Sequence, residues 1–350
     1  MRRAIFAIAI SMTAGVPALP AVAADAKAPA APAVAAQGSP VSPAPLASDT
    51  GAKAAEKKID PRPVAAKTVF GAIRTPSPLA ARSIGFYSRG CLAGAKALPV
   101  NGETWQVMRL SRNRNWGHPA LLKIVERLAE DGAAKDGWPG LLVGDIAQPR
   151  GGPMLTGHNS HQIGLDADIW LTPMPERRLT ATEREQLSAT SMLGKDDIHA
   201  DKEVFTPYHA AIIRRAASYP EVERVLVHPG IKKAMCEEKG ADRRSFHKIR
   251  PYWGHHYHMH IRISCPPGST GCRTQAPTPA DDGCGKEIDD WLALLQKPLK
   301  PEPPVQRKPQ PPRIITLDDL PPDCRIVAGA GNGDAATGKR PVKTRSAKSP

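Results

Sequence analysis

Histidine is unevenly distributed along this sequence, and its two concentrations lie where a metal ion could be bound. Of the eleven histidines, four fall within six residues, as His255, His256, His258 and His260. Two others, His158 and His161, lie shortly before acidic residues, and His161 is seven positions before Asp168. Imidazole and carboxylate groups together suit a borderline cation such as Zn²⁺.

The first concentration predicts a loop that leads into a strand. Gly164 lies between His161 and Asp168 and indicates a turn, after which Asp168 begins an extended segment. Such a loop can fold back and place the imidazole of His161 beside the carboxylate of Asp168. The alternative is a polar loop whose side chains serve only in turns and caps.

The second concentration has the alternation of a strand. His258 and His260 would share one face, roughly 7 Å apart, with Met259 on the other. One imidazole could then bind a metal ion while the other stands over a water molecule beside it. Ile261 and Ile263 indicate that the strand continues into a core. The alternative is a solvated histidine strand or a nonspecific metal-binding tract.

The elements that would position these residues do not alternate regularly between helix and strand. Strands are predicted at 141–145, 168–171, 225–227 and 258–263, and helices at 119–129, 207–218 and from Asp242. Thr206 followed by Pro207 is typical of a helix start. We therefore predict one α+β domain over residues 78–296, with a mostly antiparallel sheet and flanking helices.

The two ends of the sequence differ in composition from this domain. Residues 1–23 have a positive start, an apolar run and an Ala21-Val22-Ala23 cleavage signal, which predicts a secretory signal peptide. Residues 24–77, rich in Ala and Pro, predict a disordered spacer, and residues 297–350 a Pro/Lys-rich tail. Cys324 lies inside that tail, and a disulfide there would pin it to the domain.

Export determines how the cysteines and the charge are interpreted. Six cysteines without a C-x-x-C motif favour three disulfides in an oxidising compartment, although spacing leaves 15 pairings open. Of the net charge of +14, only +3 belongs to the central domain, and no nucleic-acid-binding motif is present. We expect no nucleic-acid partner, no transmembrane segment after the signal peptide, and an anionic partner such as the cell wall. The oligomeric state is not indicated.

The two histidine segments together resemble a known family. H-x(6)-D followed by H-x-H in a strand is similar to the group of lysostaphin-type peptidases, D-Ala-D-Ala peptidases and hedgehog amino-terminal domains. Longer runs resemble the penicillin-insensitive murein endopeptidases within that group. They are Ile84–Cys91, Ser160–Ile169, Val225–Lys232, Arg250–Pro266 and Asp281–Gly285. The resemblance extends from about Ile84 to Cys324 and excludes the spacer and the basic end.

This resemblance implies a set of site residues. His161, Asp168 and His260 would bind a catalytic Zn²⁺ with an open fourth position. His258 would be the catalytic histidine, with His255 beside it. A further group, which the resemblance associates with metal, consists of His158, Asp196 and His199; their alternative role is in polar loops.

The resemblance also implies the disulfides and the substrate. The pairs would be Cys91–Cys324, Cys236–Cys284 and Cys265–Cys272. The reaction would be hydrolysis of D-alanyl–meso-diaminopimelyl cross-links of peptidoglycan in the periplasm. The alternatives are a D,D-carboxypeptidase of the same group and a non-catalytic, zinc-containing module that binds the wall or regulates.

Overall fold

The computed structural model describes residues 64–297 and 313–331. Within these ranges the helices are α1 (Ala66–Ala72), α2 (Pro119–Lys135), α3 (Ala181–Gln186), α4 (Pro207–Ser218), α5 (Pro229–Glu237), α6 (Lys286–Gln296) and α7 (Asp323–Gly329). The strands are β1 (Arg82–Phe86), β2 (Arg89–Ala93), β3 (Lys96–Ala97), β4 (Trp105–Val107), β5 (Trp116–Gly117), β6 (Leu141–Val143), β7 (Asp166–Trp170), β8 (Val222–Val227), β9 (Ile249–Pro251) and β10 (His258–Ile263).

A six-stranded sheet in the order β4-β6-β7-β10-β8-β9 forms the centre of the fold. Its three inner pairings are antiparallel, whereas β4 pairs with β6 and β8 with β9 in parallel. The architecture is thus α+β as predicted, but the sheet is mixed. The prediction missed the parallel edges because β4 and β9 are strands of only three residues, too short to give a periodic signal.

One face of this sheet is apolar and packs against α2 and α4. Ala167 and Ile169 of β7 and Met259 and Ile261 of β10 are fully buried on that face. Side chains alternate along a strand, so the polar residues between them lie on the opposite face. Strands β7 and β10 are therefore apolar on the face that packs against the helices and polar or charged on the other face.

Helices α2 and α4 begin as the sequence predicts, and a further helix does not form. Proline occupies the start of both, and Thr206 with His209 makes a reciprocal cap for α4. No helix starts at Asp242, which was a wrong prediction. Its carboxylate instead accepts the backbone N–H of Arg244 at 3.1 Å, and this local turn competes with helix formation.

Two histidines outside both concentrations cap helices, a role that the sequence analysis did not assign. His118 accepts the backbone N–H of Ala120 at the start of α2, and His228 accepts that of Gly230 at the start of α5. Each precedes a proline, which lacks an N–H and suits the first helical position. Burial lowers the pKa of both imidazoles, that of His228 to about 4, so both caps are neutral acceptors at pH 7.

Three disulfides hold the described parts of the chain together. They are Cys91–Cys324, Cys236–Cys284 and Cys265–Cys272, the same pairs that the resemblance implies. The first joins β2 to α7 inside a second hydrophobic cluster, which also contains Phe70 of α1 and Val327 of α7. Helix α1 lies within residues 24–77, which were predicted to be a disordered spacer. This part of the range is helical because Ala66 and Phe70 are buried in the second cluster.

The predicted signal peptide, most of the predicted spacer and the basic end lie outside the described residues. Within residues 64–297 and 313–331, no helix combines the length and apolarity needed to cross a membrane.

We expect His228→Asn to make the protein less sensitive to mild acid. The unfolded chain protonates this residue near pH ~6.5, whereas the folded state resists protonation until about pH 4. Because the pKa of His228 is lower in the folded state, the neutral imidazole stabilises the folded state fully above pH ~6.5. This stabilisation is lost as the pH falls from 6.5 towards 4, and the loss is ~1–2 kcal/mol at pH 5. Asparagine retains a cap and does not titrate. The measurement is the fall in thermal midpoint between pH 7 and pH 5, with His247→Asn, at a half-buried histidine that caps no helix, as control. An equal fall in wild type and His228→Asn would contradict the assignment.

Candidate functional site

The register of β7 with β10 forms the centre of the site. Asp168 is paired with His260, and Asp166 with Arg262, as direct antiparallel neighbours. All four side chains lie on the sheet face opposite the core and are less than one-tenth exposed. Buried charges are stable when they are paired, and here each carboxylate faces a base across the strands.

His161 reaches this face from the loop before β7. Its backbone is left-handed, with φ of 65°, a conformation that is uncommon outside glycine. Two contacts hold it: its backbone N–H donates to Asp166 Oδ2 at 2.9 Å, and Nδ1–H donates to the carbonyl of Ile146 at 2.6 Å. Gly164, also left-handed, turns the chain back into β7. The predicted loop therefore brings His161 beside Asp168.

The carboxylate of Asp168 is the point on which the histidines converge. Its Oδ1 lies 3.4 Å from Nε2 of His161, 3.1 Å from Nδ1 of His260 and 3.6 Å from Nε2 of His258. Its Oδ2 lies 3.5 Å from Nε2 of His158. His161, Asp168 and His260 were predicted to share one metal ion. In the structure all three lie together, and His158 and His258 also lie beside the carboxylate of Asp168.

Asp166 orients the groups around Asp168. It accepts Nε2–H of His260 at 3.0 Å and Nε–H of Arg262 at 2.7 Å, in addition to the backbone N–H of His161. Because Nε2 of His260 is used in this way, its Nδ1 is the nitrogen turned to Asp168. A carboxylate behind a ligating histidine fixes the tautomer and the ring orientation.

Several buried atoms in the cluster have no hydrogen-bond partner among the described residues. They include Nε2 of His161 and Oδ1 of Asp168, although buried polar groups are usually satisfied. Donor atoms of His158, His161 and Asp168 lie within 4.8 Å of one another. Tetrahedral Zn²⁺ with bonds of roughly 2.0–2.2 Å sets its ligand atoms roughly 3.3 Å apart, close to the 3.4 and 3.1 Å that separate Asp168 from His161 and His260. The residues present fit a metal ion of this kind.

The groups around Asp166 and Asp168 lower the pKa of each carboxyl, although burial acts in the opposite direction. Burial alone would raise the pKa of Asp168, yet the electrostatic interactions of its carboxylate with the surrounding imidazoles, above all those of His161 and His258, hold it well below its usual range. In the same way Arg262 and His260 lower the pKa of Asp166 against its burial. Asp166 in turn raises the pKa of His260, although burial acts in the other direction. Both carboxylates are therefore ionised and can act as ligands or acceptors.

His158 belongs to the same cluster but has a hydrogen-bonding partner of its own. Its Nε2–H donates to Asp145 Oδ2 at 3.0 Å. Asp145 also accepts from Arg114 at 2.8 Å, and these two donors overcome burial and lower its pKa to about 2. His158 thus links the cluster to a buried ion pair, whereas His161 and His260 keep a ring nitrogen turned to Asp168.

His258 and His255 form the wall of a large cleft beside the cluster. Their rings are 4.8 Å apart, and both line a cleft of about 1080 Å³. Burial lowers the pKa of His258 to about 4, and burial together with His258 lowers that of His255 to about 3. Both are neutral at pH 7. Nδ1–H of His255 donates to the carbonyl of Trp253 at 2.5 Å, and Nδ1 of His258 has no partner among the described groups.

Asp196 and His199 are not brought into this cluster. Nδ1–H of His199 donates to Asp196 Oδ2 at 2.7 Å, and both side chains are about half exposed. Neither lines the large cleft or a smaller cavity, of about 270 Å³, that adjoins it. Asp196 also accepts the backbone N–H groups of Ile198 and His199, so the pair closes a local turn.

Three residues of the site, Asp145, Asp166 and Tyr257, were not predicted from the sequence. Asp166 has the clearest signal, since it lies two residues before Asp168 and must share its face in a strand. Asp145 follows β6, and nothing in its local sequence indicates that Arg114 and His158 converge on it. Tyr257 precedes His258, its ring centre is 4.5 Å from that imidazole, and it lines both cavities.

Comparison with known proteins covers the whole of this site. A family model described as penicillin-insensitive murein endopeptidase matches residues 83–328. The chain is similar to proteins of that name in three bacteria. The protein from Haemophilus influenzae is 43% identical over 241 residues, or 69% of this chain and 82% of the relative. That from Klebsiella pneumoniae (strain 342) is 39% identical over 264 residues, or 75% and 91%. That from Escherichia coli (strain K12 / DH10B) is 37% identical over 262 residues, or 75% and 91%.

We expect Asp166→Asn to weaken metal binding although it changes no group that faces the ion. Asparagine can no longer fix the tautomer of His260 as an anion, and loss of such a partner lowers metal affinity about 10- to 100-fold. Equilibrium dialysis against Zn²⁺ measures the change. Glu223→Gln is the matched control, because Glu223 contacts Tyr87 at 2.8 Å rather than a histidine. Unchanged affinity in folded Asp166→Asn, judged by thermal unfolding, would contradict this role.

Proposed function

Because the chain belongs to the penicillin-insensitive murein endopeptidase family, we propose that it is a zinc-dependent endopeptidase of peptidoglycan. Its substrate bond is the D-alanyl–meso-diaminopimelyl cross-link. The observation that carries this proposal is the convergence of His161, His258 and His260 on one buried carboxylate, that of Asp168, beside a cleft of about 1080 Å³.

The proposed zinc ligands are Nε2 of His161, a carboxylate oxygen of Asp168 and Nδ1 of His260. Support comes from their distances, from the absence of a hydrogen-bond partner for His161 Nε2 among the described groups, and from Asp166 behind His260. Two histidines and one carboxylate form a set typical of catalytic zinc. His158 is proposed as a neighbour that can contact the ion, and Asp196 with His199 as a separate, exposed metal position.

A zinc ion in this position supplies Lewis acidity to the scissile carbonyl and to water. The chain supplies orientation and proton handling. His258 borders both cavities and is neutral at pH 7 because burial lowers its pKa to about 4. A neutral imidazole can accept a proton at one ring nitrogen or donate from the other to a developing oxyanion. We assign His258 to one of these two roles in the hydrolysis.

His255 and Tyr257 pack against His258 and hold its imidazole in position. The ring of His255 packs 4.8 Å from His258, and its Nδ1–H is held by the carbonyl of Trp253. Tyr257 packs against His258 at 4.5 Å between centroids. These contacts restrict the rotamer of His258, which a group that transfers a proton requires.

The proposed compartment is the periplasm. Peptidoglycan lies outside the cytoplasmic membrane, and the relatives are named for activity on murein. The three disulfides are typical of an oxidising compartment. The predicted signal peptide at residues 1–23 would deliver the chain there.

Digestion of purified sacculi tests the activity directly. We expect the chain to convert cross-linked dimers into monomers that keep their D-alanine, and to lose this activity with a chelator and regain it with Zn²⁺. Mass spectrometry of the muropeptides measures both. Peptides shortened by one alanine with cross-links intact would instead indicate a D,D-carboxypeptidase. Unchanged muropeptides, with neither cross-links cleaved nor alanine removed by the Zn²⁺-loaded protein, would contradict hydrolase activity altogether.

Replacement of His258 separates catalysis from metal binding. We expect His258→Ala to reduce cleavage about 10²- to 10⁴-fold, the usual contribution of a positioned proton-transfer group, while Zn²⁺ content stays at the wild-type level. Metal analysis and a dimer-cleavage assay on the same preparation give both values. The control is His247→Ala, a half-buried histidine that lines neither cavity and whose Nδ1–H donates to the carbonyl of Arg244. Full cleavage activity of His258→Ala would rule out this assignment.

A further inference from the structure

A second, smaller cavity adjoins the cluster and has two arginines in its wall. It has a volume of about 270 Å³ and is lined by Arg109 and Arg112 as well as by Asp168 and His258. We propose that this cavity binds the carboxylate carried by the diaminopimelyl residue beside the scissile bond. Arg112 is then the residue that determines specificity for that carboxylate. The inference rests on the endopeptidase function proposed above and identifies how the substrate is recognised.

The chemistry of the cross-link requires such a subsite. The amino group acylated by D-alanine is attached to a carbon of meso-diaminopimelic acid that also carries a free carboxylate. A negative charge therefore lies two bonds from the nitrogen of the bond to be cut. Wherever the scissile carbonyl approaches the cluster, this carboxylate must enter a neighbouring space and lose part of its water. A cationic donor in that space compensates the loss.

The two cavities meet at the catalytic cluster. Both are lined by His158, Tyr257 and His258, together with Asp145 and Arg112. The scissile bond can lie at this junction, with the long stem peptides in the larger cleft. The smaller cavity has room for a compact group such as a carboxylate with its carbon, but not for a second stem.

Arg112 has hydrogen-bonding capacity to spare. Its only polar side-chain contact among the described residues is one donation from Nη1 to Asp145, at 3.1 Å, and its side chain is 47% exposed. Guanidinium presents five N–H donors in a fork that matches a carboxylate. Asp145 is also held by Arg114 and His158, so it does not depend on Arg112 for a partner.

The backbone around Arg112 holds the side chain in place. The 3₁₀ turn Leu110–Arg112 is bounded by Arg109 and Asn113, both in the left-handed region with φ of 55° and 52°. Ser111 anchors the turn, since its backbone N–H and its hydroxyl each donate to Glu185 at 2.8 Å. Strained non-glycine conformations of this kind persist only where surrounding contacts enforce them, and they are concentrated at functional sites.

Arg109 also lines the smaller cavity, but its guanidinium makes more contacts than that of Arg112. It donates Nη2–H to the carbonyl of Leu187 at 2.9 Å, and its guanidinium lies 5.5 Å from the ring centre of Trp170. These contacts fix Arg109 as a positive wall, and Arg112 is left as the group with free donors.

Two arginines that line the larger cleft but not the smaller cavity, Arg262 and Arg250, are less suited to this role. Arg262 is neutralised by Asp166, and Arg250 by Glu287. Each of these ion pairs is largely buried, at 8–9% exposure of the arginine side chain. The charge of each is already balanced by its own carboxylate, whereas Arg112 shares the single carboxylate of Asp145 with Arg114 and His158.

The test compares two synthetic cross-linked dimers that differ only at this carboxyl, free in one and converted to a primary amide in the other. With Zn²⁺-loaded, full-length wild type, we expect kcat/KM to be about 10- to 100-fold higher for the free acid, the usual effect of one charge-assisted hydrogen bond. Arg112→Gln should lose this preference by losing activity on the acid alone. Arg112→Lys should retain part of it, since the charge remains.

Matched controls make the result specific. Arg244→Gln removes a surface arginine whose side chain is paired with Asp242, and it should keep the wild-type preference. Thermal unfolding checks that each variant is folded, and the wild-type comparison requires no variant at all. Equal rates of wild type on acid and amide, or an equal loss of both in Arg112→Gln, would overturn the subsite. Cleavage of neither dimer by wild type would instead overturn the endopeptidase function, and the subsite with it.

Discussion

The antiparallel register between β7 and β10 is the constraint on which both the core and the site depend. It pairs Asp168 with His260 on one face, and on the other face it buries Ile169 and Met259 against the helices. A slip by one residue would exchange the two faces of one strand. Burial of each such apolar side chain contributes roughly 1.5–3 kcal/mol, so the core that stabilises the fold also keeps the histidines at their aspartate.

The polar face of the sheet is stable because its charges are arranged in layers. Arg262 and His260 surround Asp166, which lies deepest and is fully buried. Asp168 comes next, with the histidines around it, and Asp145 holds the outer edge through Arg114 and His158. Each layer satisfies most of the one below it. Among the described groups of this cluster, Nδ1 of His258 has no partner, and neither do Nε2 of His161 and Oδ1 of Asp168, which lie 3.4 Å apart. An unpaired buried charge is costly, so a cation at these two atoms would complete the arrangement.

Those parts of the fold and site that depend on local pattern were predictable from the sequence, and those that depend on pairing were not. The alternation in His258–Ile263 and the turn at Gly164 are local signals, and both led to the observed elements. The parallel edge strands β4 and β9 and the convergence of Arg114 on Asp145 arise from contacts between distant segments. Asp166 is an intermediate case: its face follows from alternation, but its role requires the register with Arg262. The capping histidines were missed because a histidine before proline has no distinctive pattern.

The Cys91–Cys324 disulfide makes one part of the molecule dependent on α7, a segment that is synthesised after the whole of the sheet. It spans 233 positions and lies in a cluster that combines Phe70 from α1 with Val327 from α7. The main core, by contrast, has its last fully buried residue at Ile263. The sheet and its site can therefore assemble from a growing chain before the second cluster exists. A chain that stops short of Cys324 would leave Cys91 as a free thiol and Phe70 without its partners, so oxidation of this pair marks a chain that has been made through to α7.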